Sequence, residues 1–289
     1  MHLLAILLAA TAVSDTTPIR CADCDAWNAP QEPFRIYGDT YYVGPRGLSS
    51  VLIDSGKGLI LIDGGLPQSA KLVAASVRKL GFELRDVRWI LNSHAHFDHA
   101  GGMAALQRMT GAKVGASPAG TRALKTGNAA PDDPQAGFGE AMRYPPVRNV
   151  EPIADGATVT VGGVTVTAHH TPGHTPGGTT WTWRSCEGDR CADVVFAESL
   201  TAIAAPGFRY AADTARVAQF RRSIATIRAL PCDVLILTHP SGRFFEQLEA
   251  SAREGRTAFL DSSACRAYAD RGDASLSQRL RDEAAGKTP

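Results

Sequence analysis

Short apolar or alternating segments, separated by Gly, Asp and Pro, dominate the first part of the chain. Four of them have the length and composition of β-strands and predict an antiparallel meander: FRIYG, TYYVG, SSVLID and GLILIDGG. Over about 67–80, apolar positions recur with a helical period, which predicts a helix that ends at Gly81. The continuous apolar segment VRWILNS then predicts a strand buried on both faces, followed by a second helix over about 100–110.

The rest of the chain repeats this order of strands, helix, strand and helix. Alternating segments predict the further strands TVTVGGVTVTAHH, TTWTWRS and ADVVFAES, and helices are expected over about 213–230, 244–254 and 262–284. The segment CDVLILTHP predicts another buried strand. Residues 125–150 contain many Gly, Pro and Asp without a clear period, which predicts a long surface loop of the kind that often carries function.

Each half of the chain therefore predicts a sheet with helices on one face. A sheet covered by helices on one face must bury its other face, and the second sheet provides the surface for this. The predicted fold class is α/β, as a four-layer αβ/βα sandwich that forms one domain over residues 13–289.

The N-terminal residues 2–13, HLLAILLAATAV, are apolar but too few to span a bilayer, which takes about 20 residues. Their position and the small residues around Thr11 predict a secretory signal peptide, residues 1–12, that is cleaved near Ala12. The alternative is a buried N-terminal strand or helix. With the signal removed, we expect a periplasmic protein that is not bound to a membrane.

The charge composition narrows the possible partners. Hydrophobic residues make up 44% of the chain and charged residues 20%, as in globular proteins. Lys and Arg number 30 against 29 for Asp and Glu, so the net charge is +1. Because there is no basic excess to bind phosphate backbones, nucleic acid is not expected as a partner.

The 6 cysteines are an even number, and in an exported chain this indicates disulfides. Cys186 with Cys191 would close the hairpin tip SCEGDRC, and Cys232 with Cys265 would close a loop of about 34 residues. For Cys21 and Cys24 a local disulfide is favoured over half of a four-cysteine zinc site, since no second Cys-x-x-Cys exists. Free thiols or an intermolecular bond stay open for this pair.

Residues 92–102, NSHAHFDHAGG, concentrate metal-binding side chains directly after a predicted strand, in a chain with only 8 His. His94 and His96 are two residues apart, so on an extended segment they project to the same side and can hold one metal ion. Asp98 and His99 lie beyond the bend where a helix begins, within reach of a second ion. Imidazole and carboxylate ligands together suit Zn²⁺.

Two further histidines have similar settings. His174 lies in the Pro- and Gly-rich loop HTPGHTPGG, and His239 follows the strand VLILT. Because each ends a strand, both are expected to converge with the first cluster at one edge of the sandwich. His169 and His170 lie inside an alternating strand, where we expect structural or outer hydrogen-bonding roles rather than direct ligation.

The spacing His-x-His-x-Asp-His, with GHTPGG and a His at the end of a strand, resembles the metallo-β-lactamase superfamily over about residues 33–245. LIDGGLPQSA at 61–70, FAESLTAIAAPGFRY at 196–210 and the pair Cys232 and Cys265 are similar to subclass B3. The resemblance implies two Zn²⁺ ions. It assigns zinc one to His94, His96 and His174, and zinc two to Asp98, His99 and His239.

The same resemblance implies hydrolysis of the β-lactam amide of a small-molecule antibiotic by a zinc-bound hydroxide, with Asp98 orienting the nucleophile. Ser199 and Thr201 are similar to the subclass positions that hydrogen-bond the substrate carboxylate. The loop around Phe138 is expected to cover apolar substituents of the substrate.

Two departures from the subclass pattern bear on the alternatives. His239 directly follows Thr238, where the subclass more often has a residue between them, and Glu198 stands where it often has Asp. The main alternative is a glyoxalase II-like thioesterase or a lactonase, in which an Asp after GHTPGG bridges the metals. Ser199 at that position would favour a lactamase, and Glu198 there would favour the alternative.

Two other classes of protein fit the sequence less well. A non-catalytic metal-binding member should have lost a ligand, but all six candidate ligands are present. A nuclease of this fold is disfavoured by the neutral charge and by the export signal.

Overall fold

The structure, a computed structural model, describes residues 15–287, so the expected signal peptide lies outside the described residues. Strands form two sheets. The first contains β1 (Phe34–Tyr37), β2 (Thr40–Tyr42), β3 (Val51–Asp54), β4 (Leu59–Ile62), β5 (Val87–Leu91), β6 (Lys113–Ala116) and β7 (Val150–Pro152), in chain order. The second contains β8 (Thr158–Val161), β9 (Val164–His170), β10 (Thr179–Glu187), β11 (Arg190–Ala197) and β12 (Val234–Leu237), with β12 and β8 at its edges.

The helices connect these strands and lie mostly on the outer faces. They are α1 (Cys24–Trp27), α2 (Ser69–Lys79), α3 (Phe97–Ala100), α4 (Met103–Thr110), α5 (Pro118–Thr126), α6 (Thr214–Ala229), α7 (Gly242–Glu254) and α8 (Ala264–Ala284). Short 3₁₀ segments cover Leu84–Asp86, Ala136–Met142, Tyr210–Ala212 and Gly255–Phe259.

Apolar side chains from both sheets meet in a central core, which includes Leu91 of the first sheet and Trp181 and Phe196 of the second. A second cluster packs α2 and α4 against the first sheet, and a third packs α6 and α8 against the second sheet. The layers therefore run helix, sheet, sheet, helix, which confirms the predicted sandwich and its physical cause, the burial of both inner sheet faces.

Strand direction places the ends of several strands at one rim of the sandwich. The meander β1–β4 is antiparallel as predicted, whereas β4, β5, β6 and β7 are mutually parallel. In the second sheet β9 is antiparallel to β10, β10 to β11, and β11 parallel to β12. The C-terminal ends of β9, β11 and β12 therefore lie at the same edge.

Two strands are less buried than their apolar sequences predict. In β5, Arg88 is exposed and Trp89 is half-buried, and only Val87, Ile90 and Leu91 are fully buried. In β12 burial alternates, because this strand lies at the edge of its sheet. The prediction that β5 is buried on both faces was therefore wrong, and β12, predicted as a buried strand, is only partly buried.

The predicted helix over 100–110 is broken into α3 and α4. The Gly102 N–H donates to Gly65 O at 2.9 Å instead of continuing the helical hydrogen bonds. A Cβ on Gly102 would lie 2.2 Å from Gly64 O, so only glycine permits this close approach. The predicted loop over 125–150 is also more ordered than expected, since it contains the end of α5 and the 3₁₀ segment Ala136–Met142.

The cysteines pair as Cys21–Cys24, Cys186–Cys191 and Cys232–Cys265, and no free cysteine remains among the described residues. Cys232 precedes β12, and Cys265 lies in the first turn of α8. The third disulfide therefore ties the C-terminal helix to the edge of the second sheet. Within residues 15–287 no helix is long and apolar enough to cross a membrane.

Replacing both Cys232 and Cys265 by alanine is expected to lower the free energy of unfolding by about 4 kcal/mol, because the unfolded chain regains the entropy of a long loop. Urea denaturation at equilibrium measures this loss. The matched control replaces Cys186 and Cys191, whose short loop predicts a loss of about 2 kcal/mol. Equal losses in the two variants would contradict the loop-entropy explanation.

Candidate metal centre

The rim of the sandwich brings all six sequence-predicted ligands together. His94 and His96 follow β5, Asp98 and His99 lie in α3, His174 lies between β9 and β10, and His239 follows β12. Candidate ligand atoms of His94, His96 and His174 lie within 4.8 Å of one another, and so do those of His94, Asp98 and His99. His239 Nε2 lies 3.2 Å from Asp98 Oδ2 and 3.2 Å from His99 Nε2, which completes the second group.

Hydrogen bonds on the far side of the rings decide which nitrogen faces the cluster. His96 Nε2 lies 3.2 Å from Asp133 Oδ2, so its Nδ1 is left for a metal ion. His174 Nδ1 donates to Thr201 O at 2.9 Å, which leaves Nε2. Partners of this kind fix the tautomer and the ring orientation of a ligating histidine.

The protonation states are those that metal binding requires. Burial and the neighbouring His99 hold the pKa of His94 well below its usual value, and burial with the neighbouring His96 lowers the pKa of His174 to about 3. Burial alone would raise the pKa of Asp98, but His99 and His239 beside it hold that pKa well below the usual range. Neutral imidazoles and an ionised carboxylate bind a cation without first losing protons.

The donor set fits zinc. His94 Nε2 is buried and has no hydrogen-bond partner among the described residues, a cost that a ligated cation would remove. Imidazole nitrogens and one carboxylate are the ligands that Zn²⁺ prefers. The two groups of ligand atoms share His94 and are adjacent, so the site is suited to a pair of ions.

Four of the metal-binding side chains line a cleft of about 670 Å³, namely His96, Asp98, His174 and His239. Its walls are partly apolar: Phe138, which is 41% exposed, lines one side, and Ile203, which is 51% exposed, lies on the loop that follows β11. Trp27 also lines the cleft, with its ring 5.1 Å from the ring of His239. The cleft can thus hold an apolar substituent beside a polar group that faces the metal site.

The residues after β11 take different directions. Ser199 and Thr201 line the cleft, and Ser199 Oγ lies 2.9 Å from Thr238 Oγ1. Glu198 is completely buried behind the cluster, with Oε1 4.0 Å from His94 Nδ1, and burial raises its pKa well above the usual value. The position that faces the cleft at this strand end therefore holds a hydroxyl and not a carboxylate.

The other histidines of β9 lie apart from the cluster, as expected. His169 Nε2 lies 2.9 Å from Thr182 Oγ1, and His170 Nε2 donates to Ile153 O at 3.0 Å. Both rings therefore have hydrogen-bond partners outside the metal-binding cluster.

Sequence patterns missed two parts of the site. Asp133, the partner of His96, is a single acid in a loop without a period, and only the folded path of the loop brings it to that ring. The N-terminal segment that carries Trp27 is the other, and the disulfide Cys21–Cys24 lies next to it. The Cys-x-x-Cys motif was the one signal there, and it predicted a local disulfide without indicating where the segment packs.

Comparisons with known proteins agree with this geometry. The family model of the metallo-beta-lactamase superfamily matches residues 43–239. MEM-A1, a subclass B3 metallo-beta-lactamase isolated from a soil metagenome library, is 50% identical, covers 90% of this chain and 100% of its own, and superposes with a TM-score of 0.87. Rm3 metallo-beta-lactamase is 49% identical, with 91% and 99% coverage and a TM-score of 0.88. The chain therefore belongs to the metallo-beta-lactamase superfamily and, within it, to subclass B3.

Curated relatives match over a shorter segment. Hydroxyacylglutathione hydrolase of Anaeromyxobacter dehalogenans is 35% identical over 134 residues, which is 46% of this chain and 40% of that protein. Atrochrysone carboxyl ACP thioesterase of Aspergillus fumigatus is 30% identical over 141 residues, 49% of this chain and 25% of that protein. The matched segments thus span less than half the length of these two relatives.

Proposed function

We propose that this protein hydrolyses the amide bond of β-lactam antibiotics with two zinc ions. The observation that carries the proposal is the arrangement at the rim, where six metal-binding side chains meet below a partly apolar cleft and Ser199, not a carboxylate, faces the cleft after β11. Two relatives named as metallo-beta-lactamases, one of them as subclass B3, support the same substrate class.

His94, His96 and His174 would hold one zinc ion, and Asp98, His99 and His239 would hold the other. Zinc, when bound, supplies Lewis-acid chemistry, since it polarises a carbonyl group and makes water a nucleophile at neutral pH. The chain supplies the positions: Asp133 and Thr201 O hold two of the rings, and Asp98 directs its ionised carboxylate between His99 and His239.

Other residues of the cleft would orient the substrate. Ser199 and Thr201 line the same cleft as the metal-binding cluster, and their hydroxyl groups would bind the carboxylate that β-lactams carry next to the reacting ring. Phe138 and Ile203 offer apolar surface to the substituent on the other side. Holding both ends of the substrate fixes the amide carbonyl over the cluster, which lowers the entropic part of the barrier.

The second candidate is hydrolysis of a thioester, favoured by the similarity to hydroxyacylglutathione hydrolase. That activity is expected to use a carboxylate at the end of β11 that bridges the metals. Here Glu198 is buried behind His94, and Ser199 faces the cleft. We therefore rank the lactamase first and the thioesterase or lactonase second.

Purified protein should hydrolyse nitrocefin and a carbapenem, lose this activity with a chelator, and regain it when zinc is added back. S-D-lactoylglutathione and a lactone serve as competing substrates in the same assay. Turnover of either one without turnover of a β-lactam would reverse the ranking.

Replacing Ser199 by alanine is expected to raise KM for β-lactams roughly tenfold while kcat stays within about twofold, because the hydroxyl would bind the substrate carboxylate in ground and transition states alike. Steady-state kinetics measure the two constants separately. The control is Ser275→Ala on the exposed side of α8, which should change neither. A fall in kcat alone would place Ser199 in the chemical step instead.

We also propose that the protein acts in the periplasm after removal of residues 1–12. The three disulfide bonds support an oxidising compartment. Mass spectrometry of protein recovered from the periplasm should give an N-terminus near Val13.

A further inference from the structure

Each of the four buried histidines of the site has a polar group behind its ring, on the side away from the cluster. Asp133 lies behind His96 at 3.2 Å, the Thr201 carbonyl behind His174 at 2.9 Å, and an Asp63 carboxylate oxygen 3.8 Å from His99 Nδ1. Glu198 holds the corresponding place behind His94, with Oε1 4.0 Å from Nδ1.

Glu198 differs from the other two acids in having no partner of its own. Asp63 accepts hydrogen bonds from the Asn92 side chain and from the Ser93 backbone and hydroxyl, and Asp133 accepts one from the Gln135 backbone. Both carboxyl oxygens of Glu198 are buried and lack a hydrogen-bond partner among the described residues. Burying a carboxyl group without a hydrogen-bond partner destabilises a protein, so something must compensate it in the working protein.

The surrounding backbone holds the Glu198 side chain in this direction. Its N–H donates to Thr180 Oγ1 at 3.2 Å, and its carbonyl accepts a hydrogen bond from Tyr268 Oη at 2.9 Å. Gly178 packs so closely that a Cβ there would lie 2.7 Å from the Glu198 carboxyl carbon. The fold therefore keeps the Glu198 carboxyl group buried and points it at the ring of His94.

The Ser93 hydroxyl also lies near His94 Nδ1, at 3.2 Å, and it is in contact with Asp63. A hydroxyl that donates to Asp63 can still accept from His94, so Ser93 accounts for the orientation of the ring. Ser93 does not explain why the Glu198 carboxyl group, which lies on the same side of the His94 ring, has no hydrogen-bond partner. A cation bound at His94 Nε2 would make the Nδ1–H a stronger donor and would attract the carboxyl through the ring.

We propose that Glu198 is a positioning residue of the metal centre, which acts through His94 to strengthen zinc binding by the cluster of His94, His96 and His174. The inference rests on the metal-binding part of the proposed function and is independent of the substrate. It explains why an unpartnered acid persists in the most buried part of the site: the carboxyl costs stability in the metal-free protein and recovers it when zinc is present.

The test compares zinc affinity and metal-free stability in variants of the full chain. Glu198→Gln keeps the shape and removes the carboxylate, and Glu246→Gln on the exposed face of α7 is its matched control. Zinc affinity is measured by competition with a chromogenic chelator, and thermal unfolding is followed with and without zinc. We expect E198Q to bind zinc about 10–100-fold more weakly, with metal-free stability equal to or above that of the unchanged protein.

A second pair, Glu198→Asp and Glu198→Asn, keeps the test decisive if E198Q does not fold. The two side chains have the same shape and leave the same space, so only the carboxylate distinguishes them. E198D should bind zinc at least about tenfold more tightly than E198N. Equal zinc affinities within either pair would overturn the proposal, and so would a loss of metal-free stability in E198Q with unchanged affinity. Because no β-lactam enters these measurements, absence of β-lactam turnover would overturn the proposed function alone.

Discussion

Replacing His96 by alanine should abolish zinc binding by the cluster and lower β-lactam hydrolysis by at least about 1,000-fold. The ring joins the metal-binding cluster through Nδ1 and holds Asp133 through Nε2, so the variant loses a ligand and leaves a buried acid without its partner. Lewis-acid stabilisation by the metal lowers the barrier by several kcal/mol, and losing about 4 kcal/mol of it corresponds to this factor. Metal analysis after dialysis and nitrocefin hydrolysis measure the two losses.

The matched control for this variant is His169→Ala. His169 lies on β9 with its ring on Thr182 and outside the cluster, so zinc content and hydrolysis should stay near those of the unchanged protein. Full activity of the His96 variant would show that this histidine is not a ligand. Equal losses in both variants would indicate a general loss of folding.

Replacing Asp98 by asparagine should lower kcat by roughly 10²–10⁴-fold and remove one of the two zinc ions proposed for the site. The substitution keeps the shape but loses the negative charge that faces His99 and His239, each 3.2 Å from Oδ2. It therefore separates the role of the charge from that of packing. Zinc stoichiometry measured together with kcat tests both expectations in one preparation.

The control is Asp39→Asn, an exposed acid far along the chain from the cluster, which should change neither quantity. If the Asp98 variant kept two zinc ions and lost only kcat, Asp98 would be assigned to orienting the reacting groups and not to binding metal. Unchanged kcat and zinc content would remove Asp98 from the site.

The candidate ligands could be found in the sequence because each has a local signature. His94, His96, Asp98 and His99 are concentrated after an apolar strand, and His174 lies between Pro and Gly residues that end another strand. Residue type and strand position are properties of short segments, so they need no knowledge of the fold. The layer order was predictable for the same reason, because both halves of the chain show the same order of strand and helix segments.

Features that depend on distant contacts could not be predicted. The break between α3 and α4 arises because Gly102 meets Gly64 and Gly65, which lie on another segment. The partial exposure of β12 follows from its place at the edge of the second sheet. Asp133 reaches His96 only through the path of a loop with no periodic pattern.

The six ligands are divided between the two sheets, four on segments that follow β5 and one each after β9 and β12. The exposed turn 154–156 is the connection between the last strand of one sheet and the first of the other. A polypeptide cut there would give two fragments, neither with a complete set of donors. Reassociation of such fragments should then be driven forward by zinc, and their complementation could be followed as metal uptake.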